Sequence, residues 1–108
     1  MCGIAGFSLL NNLDYKRILN SMVSKMNHRG PDSNGIWYDE NKKIGLGHAR
    51  LAILDLSDTG HQPMCSISKR YTIVFNGEIY NYKLIRQDLE SQHKIQWNGS
   101  SDTETILA

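Results

Sequence analysis

Residues 44–54, IGLGHARLAIL, read as a strand with two very unlike faces, and this feature most limits how the chain can fold. Successive side chains of a strand point to opposite faces. Gly45, Gly47 and Ala49 therefore leave one face nearly bare, while Ile44, Leu46, His48 and Arg50 line the other. A bare face has little of its own to bury, so a neighbouring element must pack very closely against its backbone.

Several elements could meet that demand. Residues 2–10 form an apolar run with two glycines, ended by Asn11-Asn12, and read as a buried strand followed by a turn. Over residues 13–26, Tyr15, Ile18, Leu19, Met22, Val23 and Met26 recur at three- and four-residue spacings. That is the stripe of a helix, with Asn12 as its expected cap. Residues 28–35 read as a loop, 36–38 as a strand, 39–43 as a polar turn and 55–64 as a second loop. Residues 71–75 are β-rich and end at Asn76-Gly77. Asn81 is placed to cap a helix with Leu84, Ile85 and Leu89 inward, and residues 95–97 read as a short strand. Ser101-Asp102-Thr103-Glu104 has the spacing of a capping box, with Ser101 as cap and Glu104 reaching back. The sequence stops at Ala108, about one turn into that helix. Because an isolated helix needs ~12 to 15 residues to be even marginal, the expectation is a domain cut short.

Composition narrows the functional classes. The 108 residues suffice for one domain at most, and 40% hydrophobic with 21% charged residues is ordinary globular usage. Twelve basic against eleven acidic residues give a net charge of +1, and the densest basic runs are only pairs, Lys42-Lys43 and Lys69-Arg70. No footprint for nucleic acid or an anionic membrane results. No apolar run approaches the ~18 residues of a spanning helix. Residues 2–10 look like a signal-peptide core, but no basic residue precedes them and a helix follows in place of a cleavage site. Cys2 and Cys65 cannot build a disulfide framework, which fits a reducing cytoplasm.

The candidate chemistry begins at Cys2. As a free cysteine it reads as a small buried hydrophobe, yet its position allows more. If Met1 is removed, thiol and α-amine share one residue. Their ordinary pKa values, ~8.5 and ~7.7 to 8.0, make proton transfer between them nearly thermoneutral. A thiol attacking an amide needs donors for the developing oxyanion, and Asn76-Gly77 offers a side-chain amide and an unhindered N–H. The same dipeptide is also the best hairpin turn. Arg50 is the only cation among residues 44–54 and needs an anion, either a ligand carboxylate or an internal Asp or Glu. Asp102 either complements a helix N-terminus or faces a ligand ammonium. Together Arg50 and Asp102 could grip an α-amino acid at both ends. His28, His48, His61 and Cys65 match no metal-ligand spacing, so no metal site is expected. Tyr80, Tyr82 and Trp97 read as packing residues.

Six stretches carry a resemblance. MCGIAGF at 1–7, HRGPD at 28–32, LGHARLAILD at 46–55, GHQPM at 60–64, FNGEIYNY at 75–82 and SDTE at 101–104 resemble the class II, N-terminal-nucleophile glutamine amidotransferase domain, in its asparagine-synthetase (glutamine-hydrolysing) branch. The resemblance runs from the first residue to the last few. It implies an α+β fold, the N-terminal-nucleophile hydrolase αββα four-layer sandwich with antiparallel sheets, of which residues 1–108 are about the first half. It implies Cys2 as nucleophile after loss of Met1, with Asn76 and Gly77 as the oxyanion hole. Arg50 would bind the glutamine α-carboxylate and Asp102 its α-amine, with Leu51, Ile53 and Glu78 lining the same pocket.

The implied reaction is hydrolysis of L-glutamine to glutamate and ammonia through a γ-glutamyl thioester. The ammonia would pass to an ATP-dependent synthetase domain of the same chain, expected downstream of residue 108, to make an amide such as asparagine from aspartate. ATP and Mg would belong to that domain, since no G-x-x-x-x-G-K phosphate loop occurs here. The expected partners are glutamine and that synthetase domain, with no nucleic acid and no membrane, and with a homodimer left open. Relatives that amidate other carboxylates begin in the same way, so the acceptor stays open. Two other readings stand beside this one: a catalytically idle glutamine-binding or regulatory module, and a structural fragment with no stable fold of its own.

Overall fold

The bare face of the central strand is covered as its pattern demands. In the computed structural model, which describes residues 1–8, 14–53 and 57–108, a three-stranded sheet forms from β1 (Gly3–Ser8), β2 (Ser33–Asp39) and β3 (Ile44–Arg50). β3 lies in the middle, antiparallel to both neighbours, with Gly3 opposite Ala49 on one side and Ser33 opposite Arg50 on the other. Helix α1 (Tyr15–Ser24) packs on this sheet through Leu19 and Val23, both fully or almost fully buried. The approach is close enough that a Cβ built on Gly47 would stand 2.6 Å from Val23 Cγ2. At Gly45 the cover is the ring of its cross-strand partner Phe7, 2.6 Å from the same hypothetical atom. Glycine at both positions is what lets a helix and an aromatic ring settle onto the strand. Tyr15, the first residue of α1, stacks on Tyr38 of β2 with centroids 3.8 Å apart and planes 11° from parallel, which fastens the helix start to the sheet.

Several boundaries differ from the sequence expectation. β3 ends at Arg50 instead of continuing to 54, because its ladder partners run out there: β1 begins at Gly3 and β2 at Ser33. β2 in turn starts at Ser33, inside the expected loop, since ladder hydrogen bonds use the backbone and leave the side chain free. The expected cap Asn12 lies outside the described residues, as do Leu54 and Asp55; α1 is capped by Asp14, whose carboxylate accepts the Arg17 N–H at 3.2 Å.

The remaining chain forms a small second sheet and two helices. β4 (Met64–Cys65) and β5 (Thr72–Ile73) pair as a hairpin, followed by α2 (Tyr82–Gln92) and α3 (Asp102–Leu107). The hairpin reverses between residues 65 and 72, so Asn76-Gly77 is not its turn; it lies in irregular chain leading to α2. Asn81 occupies the cap position of α2 without a side-chain hydrogen bond, and Leu84 is exposed where an inward residue was expected. Residues 95–97 form no strand. The result is an α+β domain with antiparallel sheets. No helix among the described residues is long and apolar enough to cross a membrane.

Candidate active site

Cys2 sits immediately before β1, and its sulfur meets the chain just beyond β3. Sγ accepts the Leu51 N–H at 3.3 Å and lies 3.5 Å from the Leu51 carbonyl, to which the thiol donates. The loop 28–32 braces that stretch from the other side. Its Asp32 N–H donates to the Arg50 carbonyl at 2.9 Å, and the Asp32 carboxylate accepts the Ala52 N–H at 2.7 Å. Gly30 is buried so tightly against the backbone of Ala49 and Arg50 that a Cβ there would overlap it. Sheet register and this loop together therefore position Arg50, Leu51 and the Cys2 sulfur.

The two charged candidates lie deep. Arg50 is 9% exposed and donates from Nη1 to the Ser57 carbonyl at 2.8 Å. Asp102 is 5% exposed, at the first position of α3, and its Oδ2 accepts the Ile79 N–H at 2.8 Å. Half of the expected capping box forms: Ser101 Oγ accepts the Glu104 N–H at 3.2 Å. Glu104 does reach back, but to the N–H groups of Asn98 at 2.6 Å and Gly99 at 3.0 Å, and it pairs with Arg86 at 3.1 Å. Arg86 of α2 also donates to the carbonyls of Gly99 and Ser101 and to Thr105 Oγ1, and lies 3.9 Å from the Trp97 ring centroid. The loop that presents Asp102 is thus held by a guanidinium making nearly every contact its geometry allows.

Asn76, Gly77 and Glu78 are exposed and follow Phe75, whose two flanking peptides are both gripped. The Phe75 N–H donates to Gln62 Oε1 at 2.6 Å, and its carbonyl accepts from His48 Nε2 at 3.3 Å. A carbonyl can only accept, so His48 carries its proton on Nε2. Nδ1 is buried with no hydrogen-bond partner. Burial above all lowers the His48 pKa; the Phe75 hydrogen bond opposes this in part, and the nearby charges of His61 and Arg50 add smaller lowering contributions, so the ring is held neutral.

These residues, remote in sequence, line one cavity of about 340 Å³. Cys2, Asn76 and Gly77 are on its wall, as are Arg50, Leu51, Ile53, Glu78 and Asp102. Ligand sites commonly measure ~300 to 1,000 Å³, which places this one among those sized for a small metabolite. A buried cation and a buried anion on one cavity suit a zwitterion, and the thiol and amide donors suit attack on a carbonyl group. Gln62 and Thr103 also line the cavity although the sequence assigned them no role; both stand inside motif blocks, GHQPM and SDTE, which was the available signal. Tyr80, expected to pack, is 91% exposed beside the same cavity. Among the described residues no group of three or more His, Cys, Asp or Glu is arranged to hold a metal ion.

Comparison with known proteins supplies the family of the chain. The chain is 40% identical to asparagine synthetase [glutamine-hydrolyzing] 1 of Bacillus subtilis, with 100% of this chain and 17% of that protein aligned. It is 42% identical to putative asparagine synthetase [glutamine-hydrolyzing] 2 of Methanocaldococcus jannaschii, over 99% of this chain and 23% of that one. It is 36% identical to amidase chry2 of Gibberella zeae, over 100% and 17% respectively. The chain thus spans about a fifth of the length of these curated relatives. The family model for the glutamine amidotransferase domain matches residues 1–108, every position of the sequence, and the chain belongs to that family.

Proposed function

We propose that these residues are the glutaminase part of an amidotransferase, in which Cys2, freed of Met1, hydrolyses L-glutamine. The cavity residues divide the work by charge. Arg50 pairs with the substrate α-carboxylate and Asp102 with its α-ammonium, while Leu51, Ile53 and Glu78 line the path of the side chain. This brings the side-chain amide to the Cys2 sulfur. Sulfur attacks the amide carbon, the thiol proton moves to the Cys2 α-amine and on to the departing nitrogen, and ammonia leaves behind a γ-glutamyl thioester that water cleaves to glutamate. Asn76 and the Gly77 N–H donate to the oxyanion, each such donor contributing ~2.7 to 4 kcal/mol of barrier lowering in comparable sites. The observation that carries the reading is the convergence of all eight residues, drawn from separate stretches of sequence, on one cavity.

The ammonia is released for amide synthesis in an ATP-dependent domain of a longer chain, where ATP and Mg would bind, with the rest of the four-layer sandwich supplied by residues following 108. Relatives named asparagine synthetase favour aspartate as the acceptor. A reducing cytoplasm, which keeps the thiol free, suits the chemistry. The test is glutamine turnover by the longer chain, its loss of Met1 verified by intact mass, beside Cys2→Ala. Ammonia release that vanishes in Cys2→Ala is the expected result. Full activity with Met1 still attached would overturn the amine-as-base mechanism, and glutamine binding without turnover in the wild type would make the domain an idle binding module.

A further inference from the structure

Gln62 stands where two halves of the site meet. It is 6% exposed, and both ends of its amide are used: Oε1 accepts the Phe75 N–H at 2.6 Å, and Nε2 donates to Thr103 Oγ1 at 3.2 Å. Phe75 directly precedes Asn76 and Gly77, and Thr103 directly follows Asp102. The Gln62 backbone has little freedom either, because its carbonyl rests against Gly35 of β2 so closely that a Cβ on that glycine would overlap it. A second strap runs in parallel, from the Ile79 N–H to Asp102 Oδ2. Residues 75–79 are therefore tied to the start of α3 at both ends, and Gln62 makes the tie next to Asn76.

We propose that Gln62 is a positioning residue, which fixes the Val74–Phe75 peptide through the Phe75 N–H and so aims the Asn76 amide and Gly77 N–H at the developing oxyanion, in register with Asp102. Asn76, Gly77 and Glu78 are exposed, and the Phe75 ring lies against Gly77. A donor pair that must hold its direction while charge develops needs a rigid support behind it. Here the support is Phe75, whose N–H is held by the Gln62 amide and whose carbonyl, in the next peptide, is held by His48 Nε2. A glutamine suits the post because one planar group offers an acceptor and a donor on the same side chain.

The inference rests on the glutaminase reading, and the experiment separates the two. Gln62→Met preserves length and volume but removes both bonds. Steady-state glutamine hydrolysis, expressed per site titrated by a thiol-alkylating glutamine analogue, is measured in wild type, Gln62→Met, Asn76→Ala and the double variant. The expected outcome is a loss of about tenfold or more in kcat for Gln62→Met in the wild-type background, shrinking to about threefold or less in the Asn76→Ala background, because the support then has less to aim. The same loss in both backgrounds would mean a purely structural residue and would overturn the proposal. Thr103→Val cuts the tie at its far end and should show the same direction of effect, so the test survives if Gln62→Met fails to fold. Amide hydrogen exchange is read alongside: Phe75 should lose protection in Gln62→Met while Val23 in α1 keeps it, and unchanged Phe75 protection would also overturn the proposal. A wild-type longer chain without glutamine turnover would instead refute the glutaminase reading, with the strap still decided by the exchange of Phe75.

Discussion

Gly47→Ala gives the sharpest check on the packing of α1 against β3. The new Cβ would stand 2.6 Å from Val23 Cγ2, whereas its next neighbours, Ala5 Cβ and Leu19 Cδ2, would both be at an ordinary 3.8 Å. Carbon atoms pack at ~3.5 to 4.0 Å, so one methyl group must give way by about 1 Å. Overpacking of this kind costs ~1 to 3 kcal/mol, less the ~0.4 to 1 kcal/mol that Gly→Ala returns by restricting the unfolded chain, for a net loss of about 1 to 2 kcal/mol. Val23→Ala removes two carbons from a side chain only 2% exposed. At ~0.8 kcal/mol per buried carbon plus a cavity contribution, it should cost about 2 to 3 kcal/mol. In the double variant the alanine methyl at 47 enters the space vacated by Val23. Its loss should be about 2 kcal/mol smaller than the sum of the single variants. Urea denaturation with a common m value gives all three differences. Additivity within ~0.5 kcal/mol would show that the helix does not rest on Gly47, and the account of the bare strand face would fall. Gly30→Ala is the control, because its new atom would meet the backbone of Ala49 and Arg50 and Val23→Ala can give it no relief.

Three further outcomes follow from the site. Arg50→Ala should raise the glutamine KM strongly with a smaller change in kcat, and Asn76→Ala should act mainly on kcat; changes confined to KM in both would remove Asn76 from the oxyanion role. Arg86→Leu should destabilise the protein by about 3 kcal/mol, since it strips a nearly buried Glu104 of its cation, and Arg86→Lys should recover less than half because an ammonium cannot reach Thr105, Gly99, Ser101 and Glu104 together; thermal melts of the two variants decide this. His48 has a folded-state pKa below its ordinary 6.5, so the unfolded chain binds its proton more readily. Stability from this group is complete above about pH 6.5 and is lost as pH falls toward the folded pKa, by up to ~1.4 kcal/mol per pH unit, a slope that should flatten in His48→Gln when urea midpoints are compared between pH 7.5 and 5.5.

The elements that sequence patterns located well are those whose side chains repeat with the period of the backbone. The stripe of α1 and the alternation along β3 both appear where periodicity placed them, because burial on one face selects residues at that period. Patterns failed where the backbone alone decides. β2 begins inside an expected loop because Ser33 pairs through its peptide with Arg50, and residues 95–97 are apolar enough for a strand but form none. Leu84 matched a helix stripe yet is exposed, since a stripe marks a face and cannot by itself supply a neighbour.

The site divides in the same way. Cys2, Arg50, Asn76 and Asp102 were legible in the sequence because each carries a group whose chemistry is informative wherever it lies. That they share one cavity was implied by the family resemblance and not by residue types or spacing: it depends on β1 pairing with β3, which sets Cys2 beside Leu51, and on Arg86 holding the loop that presents Asp102. Gln62 could not have been read from its residue type. A glutamine side chain becomes a strut only when its acceptor and donor both find partners, here an N–H thirteen positions away and a hydroxyl forty-one positions away. Local sequence determines which groups are available and which faces are apolar, through the fixed periods of helix and strand. Which of those groups meet is decided by long-range contacts, whose partners no local pattern encodes.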